Sequence, residues 1–208
     1  MRIFGIDPGS ERTGYGCVET DGRRPRLVAC GAITAQRADS FPQRLARIHA
    51  ELSSLLALFH PDCVAIENLF YATNVRSALK LGHARGVTML AAVEAGCQVV
   101  EYTPAEIKRA VVGYGRAEKH QVGQMVKLLL GLAAAPTPHD AADALAVAIC
   151  HMHSMAPAAI RDLGSGIGDP GSGIRKAKTG TRILDPGPRI PNKHQPRTWR
   201  QYRPPTHG

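Results

Sequence analysis

The sequence predicts an α/β fold with a five-stranded mixed sheet, three antiparallel strands followed by two parallel ones, flanked by helices. Two observations lead to this class. Five short runs of strand-forming residues lie within the first 102 residues, and the first three are joined by turns too short to contain a helix. Each of the last two follows a helical segment, so both should run parallel to the first strand through right-handed crossovers.

The first three strands are predicted at 2–6, 13–19 and 26–35. The first is an apolar run that ends at the turn signal Pro8-Gly9, and the second begins soon after that turn. The turn Asp21-Gly22 leads into the third strand. These segments should therefore form an antiparallel meander.

The first helix is predicted at 41–60, because its apolar residues recur at helical spacing. Ser40 and Pro42 are a start signal, and Pro61 should end the helix. The residues of the apolar stripe are Leu45, Ile48, Leu52, Leu55, Leu56 and Phe59.

The two parallel strands are predicted at 63–67 and 98–102, on either side of a helix at 74–95. A loop at 68–73 joins the fourth strand to that helix. The helix carries small residues typical of close packing, either within one subunit or at a subunit contact, and both interpretations stay open. These small residues are Gly82, Ala84, Gly86, Ala91 and Ala92.

Three further helices complete the predicted domain. The first begins at the capping signal Thr103-Pro104 and ends near Val112, and the second covers 118–132. For the last helix, Thr137 is the predicted N-cap and Pro138 the first helical residue.

Residues 1–155 are the predicted globular domain, and residues 156–208 are predicted to be a disordered tail. The tail contains eight Gly and eight Pro, and it lacks a sustained helical or alternating period. It carries ten Lys or Arg against three Asp, a net charge of +7 out of +9 for the whole chain. Such a tail favours a polyanion such as nucleic acid, although a solubilising role is the alternative. The residues that could stack on and pair with nucleic acid are Arg197, Trp199, Arg200, Tyr202 and Arg203.

Composition narrows the class of protein. The chain contains no apolar run of membrane-spanning length and no secretory signal pattern, so we expect a cytoplasmic protein. Its five cysteines are widely spaced, and they are expected to be small buried residues of a reducing compartment: Cys17, Cys30, Cys63, Cys97 and Cys150.

Four carboxylates stand out by their positions. Asp7 and Glu67 each end a predicted buried strand, where ligands gather in open α/β sheets. Asp140 and Asp143 are three residues apart and project from one face of the last helix. A turn role for Asp7 and a helix-dipole role for Asp140 are the simpler explanations. Neither explains Asp143, which lies in an apolar setting.

Four converging acids would repel one another unless divalent cations lay between them. Hard oxygen ligands select Mg²⁺ or Mn²⁺ over zinc. Two such ions about 4 Å apart can activate a water and stabilise the leaving oxygen of a phosphodiester. The acids therefore predict metal-dependent phosphodiester hydrolysis.

Several motifs of this chain resemble the RuvC family of bacterial crossover junction endodeoxyribonucleases. The resemblance runs from residue 1 to about residue 153. It implies an RNase H-like fold, a homodimer, and symmetric nicks in a Holliday junction that leave 5′-phosphate and 3′-hydroxyl ends. It also implies that the protein acts together with the branch-migration complex RuvA-RuvB. The resemblance implies no role for the tail. The motifs are Gly5-Ile-Asp-Pro-Gly9, Thr13-Gly14, Ala65-Ile-Glu67, Val112-Gly113, Ala117-Glu-Lys119 and His139-Asp-Ala-Ala-Asp-Ala-Leu-Ala146.

The resemblance also implies roles for individual residues. Phe70 is the aromatic residue that reaches into the junction, and Lys108 and Lys119 are the basic residues that face the scissile backbone. Lys119 would also stabilise the charged transition state. For His139, a helper role and a place at the helix start both stay open. The acids implied as ligands of two Mg²⁺ ions, or of Mn²⁺ in their place, are Asp7, Glu67, Asp140 and Asp143.

Three rival functions remain open at this point. An actin-like or sugar-kinase-like ATPase also begins with a strand, an acid and a Gly-rich loop, but it needs two similar domains. A non-catalytic junction-binding protein of the same fold would not need all four acids. An RNase acting on RNA–DNA hybrids would use the same metal chemistry.

Overall fold

The protein is described from a computed structural model that covers residues 1–22, 24–36, 38–68 and 74–155. Within these residues the predicted mixed sheet and its flanking helices are confirmed. The strands are β1 Arg2–Asp7, β2 Arg12–Glu19, β3 Arg26–Thr34, β4 Cys63–Glu67 and β5 Gln98–Tyr102. The helices are α1 Phe41–Phe59, α2 Val75–Glu94, α3 Pro104–Val112, α4 Lys119–Leu129 and α5 His139–Met155.

The strands lie in the order β3-β2-β1-β4-β5, which puts β1 at the centre of the sheet. β1 pairs antiparallel with β2 and parallel with β4, and β4 pairs parallel with β5. Ile6 of β1 lies opposite Ile66 of β4. Since these strands run in the same direction, the next residue on each, Asp7 and Glu67, emerges at the same edge of the sheet.

Helices cover both faces of the sheet and form two apolar layers. Alternate residues of β1 show this division: Ile3 packs on the side of α3, α4 and α5, whereas Phe4 packs on the side of α1 and α2. The α5 layer contains the long buried run of that helix from Ala144 to Cys150. α5 is therefore the most deeply buried helix of the described domain, as its alanine-rich sequence suggests.

One helix end, that of α4, differs from the sequence-based expectation by more than one residue. α4 ends at Leu129 rather than at residue 132, because Gly131 adopts a left-handed φ of 64°. The amide of Leu132 then donates to the carbonyl of Lys127, which closes a Schellman cap. α5 begins at His139, one residue later than predicted, and the carbonyl of Pro138 accepts the amide of Ala141 just before the first turn.

Other predicted features lie outside the described residues. These are the whole of the tail at 156–208 and most of the loop at 68–73, including Phe70. None of the described helices is long and apolar enough to cross a lipid bilayer.

Candidate active site

Asp7 and Glu67 form the centre of the site at the carboxyl edge of the sheet. Burial, the charge of Glu67 and a hydrogen bond with Glu67 raise the pKa of Asp7 to about 8. Burial also raises the pKa of Glu67, although its hydrogen bond with Asp7 opposes that rise. Burial and mutual charge therefore disfavour two ionised carboxylates here, and a cation between them would offset that repulsion.

α5 reaches this centre because glycine leaves room for it on the face of the sheet. A methyl group added to Gly14 of β2 would collide with the carbonyl oxygen of Asp140, and one added to Gly5 of β1 would collide with that of Ala144. The backbone of α5 thus lies directly against β1 and β2. This contact brings Asp143 to the strand-end acids and places the backbone of Asp140 against β2.

Asp143 joins the central pair through its charge. It raises the pKa of both Asp7 and Glu67. Its own carboxylate accepts a hydrogen bond of 3.1 Å from the ammonium of Lys119, the first residue of α4. The structure therefore brings three of the four predicted acids and one predicted lysine together.

Lys119 interacts directly with the acids of this cluster. Its hydrogen bond to Asp143 raises the pKa of the ammonium, and the charges of Asp143, Asp7 and Glu67 add to that rise. The side chain nevertheless stays largely open to solvent. An exposed cation fixed beside buried acids is well placed to meet a phosphate.

Lys108 is the second predicted lysine, and its charge also reaches the cluster. It lies on α3, which Ile107 and Val111 anchor in the core. Burial raises the pKa of Glu67, and the positive charge of the half-buried residue Lys108 opposes that rise, so Lys108 is close enough to Glu67 to interact with it. Both lysines singled out from the sequence therefore border the acids.

Asp140 has a different partner, which the sequence did not indicate. Its carboxylate accepts a hydrogen bond of 3.3 Å from the guanidinium of Arg12, the first residue of β2. No hydrophobic or spacing pattern links residues 128 positions apart, so only the docking of α5 on β2 could reveal this ion pair.

Thr13 fixes the turn that follows Asp7, and sequence reasoning gave it no such role. Its hydroxyl donates to the carbonyl of Gly9 at 2.9 Å and accepts the amide of Gly9 at 3.4 Å. The side chain is fully buried. The signal was present, because Thr13-Gly14 belongs to one of the motifs, but its mechanical role needs the turn geometry.

The donor set fits hard divalent cations in its chemistry. Carboxyl groups whose pKa values are raised by burial and by neighbouring acids are stabilised when a cation enters between them. As the side chains stand, the described residues hold no group of three or more His, Cys, Asp or Glu that could bind one ion together. Instead, the two acids of α5 form ion pairs with basic side chains, Asp143 with Lys119 and Asp140 with Arg12.

Two remaining candidates are less informative. His139 is exposed at the first position of α5, which is consistent with a place at the helix start. Phe70 lies outside the described residues, so its predicted contact with DNA stays a prediction.

Comparison with known proteins identifies relatives over the same part of the chain. The family model described as crossover junction endodeoxyribonuclease RuvC matches residues 3–151. A protein of that description from Koribacter versatilis is 53% identical over 157 residues, which are 75% of this chain and 95% of that protein. A second, from a Geobacter species, is 52% identical over 160 residues, 77% of this chain and 97% of that protein.

Solved structures support the same fold. The Thermus thermophilus RuvC structure in complex with Holliday junction substrate matches with a TM-score of 0.70 and 36% identity, covering 79% of this chain and 97% of that chain. This match confirms the RNase H-like arrangement of the sheet and helices.

Proposed function

The chain belongs to the RuvC family of crossover junction endodeoxyribonucleases, and from this premise we propose that it resolves four-way Holliday junctions by symmetric paired nicks. The observation that carries the proposal is the acid cluster: Asp7 and Glu67 emerge at the same edge of the sheet, and the charge of Asp143 bears on both. Binding DNA alone would not require buried acids that repel phosphate, whereas a metal-dependent nuclease requires them.

We assign the cofactor to two Mg²⁺ ions, for which Mn²⁺ can substitute, with Asp7, Glu67, Asp140 and Asp143 as the ligands. Their carboxylate oxygens are the ligand type that these cations prefer. Bound there, the ions would supply an activated water and stabilisation of the leaving 3′-oxygen. Water attacks phosphorus in line, the bond to the 3′-oxygen breaks, and the products carry 5′-phosphate and 3′-hydroxyl ends.

The lysines orient the DNA and stabilise the transition state. Lys119 is exposed and hydrogen-bonded to Asp143, so its ammonium is fixed at the mouth of the acid cluster. There it can bind a non-bridging phosphate oxygen, where charge develops during the reaction. Lys108, beside Glu67, can hold the backbone on the other side. Phe70 is proposed to reach into the junction.

We further propose that the protein acts as a homodimer through α2, since a two-fold symmetric substrate calls for two symmetric active sites. The outer face of α2 exposes large apolar side chains, with Leu79 60% and Val93 63% exposed. Between them Gly82 and Gly86 open a shallow groove of about 500 Å³. Such a face, rare on a monomer, suits close packing against a second copy.

We make three further proposals, two from family membership and one, for the tail, from its positive charge. The protein works in the cytoplasm and acts with the branch-migration complex RuvA-RuvB, which would deliver the junction. The basic tail at 156–208 adds salt-sensitive affinity for DNA.

The substrate comparison tests the proposed function directly. We expect cleavage of a mobile four-way junction with Mg²⁺, no cleavage with EDTA, and little cleavage of a linear duplex of the same sequence. Preferred cleavage of an RNA–DNA hybrid would instead assign the site to an RNase. Tight junction binding without any cleavage would contradict the catalytic role of the acids.

The dimer proposal predicts that Leu79→Asp converts the protein to a monomer, because it buries a charge at the α2 contact. Light scattering after size-exclusion chromatography measures this change. Leu128→Asp on α4 is the matched control, since Leu128 is also a leucine exposed on a helix (70%). A Leu79→Asp protein that stays dimeric would place the dimer contact elsewhere.

A further inference from the structure

Arg12 is a charged residue of the site to which the proposed reaction gives no role. It begins β2 at the edge of the acid cluster, and its guanidinium donates to the Oδ2 atom of Asp140 over 3.3 Å. The neighbouring residue Glu11 does not pair with Arg12, because its carboxylate forms an ion pair with Arg44. The side chain of Arg12 is 49% exposed, so it contributes an ion pair and little packing to the fold.

The arrangement around Arg12 is part of a wider pattern. Each α5 acid is bound to a cation from another element, Asp140 to Arg12 and Asp143 to Lys119. The charges of both α5 acids are thus offset by side chains of the chain itself, which stabilises acids that would otherwise repel their neighbours.

We propose that Arg12 is a built-in counter-ion for Asp140 that competes with the divalent cation and thereby sets the metal concentration at which the site fills. The proposal rests on the proposed function, since it takes Asp140 as a metal ligand. A carboxylate oxygen that accepts a guanidinium hydrogen bond has less electron density for a metal ion. A positive charge a few ångströms away also opposes the approach of a second cation.

The effects of Lys119 and Arg12 on the site can be tested separately. Lys119 pairs with Asp143 and also bears on Asp7 and Glu67, so its removal would disturb the reaction centre. Arg12 contacts Asp140 at the rim, and its strand partner in β3 is the uncharged Thr34. Arg12 can therefore be changed to test counter-ion competition while the central cluster stays intact.

The test is a titration of the full chain with Mn²⁺ in the absence of DNA. The electron paramagnetic resonance signal of free Mn²⁺ measures how much of the ion is bound. Arg12→Gln removes the charge, and we expect Mn²⁺ to bind about three- to fivefold more tightly, the range of a partly exposed ion pair. Arg12→Lys keeps the charge and should bind Mn²⁺ like the wild type. Arg26→Gln is the matched control, because Arg26 pairs with Glu19 at the opposite end of β2.

If Arg12→Gln binds Mn²⁺ as the wild type does, or more weakly, the proposal is overturned. Weaker binding would instead show that Arg12 orients Asp140 for the metal. Asp140→Asn separates this outcome from a failure of the metal site. We expect Asp140→Asn to weaken Mn²⁺ binding and to abolish the effect of Arg12→Gln when the two are combined. If Asp140→Asn leaves Mn²⁺ binding unchanged, Asp140 is not a ligand, and both the assignment of that ligand and the role of Arg12 are wrong.

Discussion

Asp7→Asn should abolish junction cleavage, with a loss of at least about 10³-fold in rate. Asp7 lies at the centre of the cluster, between Glu67 and Asp143, so its charge is needed wherever a metal ion is bound among them. Junction binding should stay within about threefold of the wild type, because the phosphate contacts come from basic residues. Gel-shift titration in Ca²⁺ and single-turnover cleavage in Mg²⁺ measure the two effects separately.

The same variant should lose less stability than the wild type as the pH rises when metal is removed. Burial and the neighbouring acids raise the pKa of Asp7 from 3.8 to about 8, so the folded state binds a proton more strongly than the unfolded state does. This contribution to stability is present below pH 3.8 and is lost as the pH rises through about 8. Asn cannot ionise, so Asp7→Asn should flatten the fall of the melting temperature with pH in EDTA.

Glu51→Gln is the matched control for Asp7→Asn. Glu51 is an exposed carboxylate on α1, paired with Arg47 and remote from the site, so its loss should change neither cleavage nor the pH dependence of melting. An Asp7→Asn protein that cuts junctions at a rate near that of the wild type would show that the metal site has been assigned wrongly.

The second large effect is expected from Gly14→Ala. The added methyl group would collide with the backbone carbonyl of Asp140, which cannot move without lifting α5 from β2. We expect a loss of about 3 kcal/mol in the free energy of unfolding, the upper range for overpacking. That corresponds to a fall of about 6–12 °C in melting temperature for a domain of this size. Cleavage should fall as well, because Asp140 and Asp143 move with the helix.

Gly123→Ala is expected to change the free energy of unfolding in the opposite direction. Gly123 lies inside α4, and a methyl group there meets no atom within 4 Å. Alanine should therefore stabilise the helix by about 0.5–1 kcal/mol. Chemical denaturation of the two variants compares them directly. A Gly14→Ala protein as stable as the wild type would contradict the close contact between α5 and the sheet.

The parts of the site that the sequence predicts are those encoded by local pattern. Two apolar runs each ending in an acid predicted that Asp7 and Glu67 would meet if their strands were neighbours, and the parallel pairing of β1 and β4 makes them neighbours. The spacing of Asp140 and Asp143 predicted that they share a helix face. Their positions follow from strand alternation and helix periodicity, which a single sequence displays.

The rest depends on how distant elements dock. The ion pair of Arg12 with Asp140 forms only because α5 crosses β2, and no local rule relates the two residues. The role of Gly14 is equally invisible in the sequence, since a glycine in a strand predicts close approach without naming the partner. The end of α4 was a missed local signal, because Gly131 was available to close the helix.

The central claim is that this acid cluster cuts two opposing strands of a Holliday junction symmetrically. The most direct test incubates a mobile synthetic junction with the protein and Mg²⁺, maps both cuts, and then adds DNA ligase. The proposal predicts cuts at matching positions in two opposing strands, duplex products sealed by ligase without further processing, and no cuts in EDTA. Cuts at unrelated positions, products that ligase cannot seal, or cleavage that persists in EDTA would contradict it.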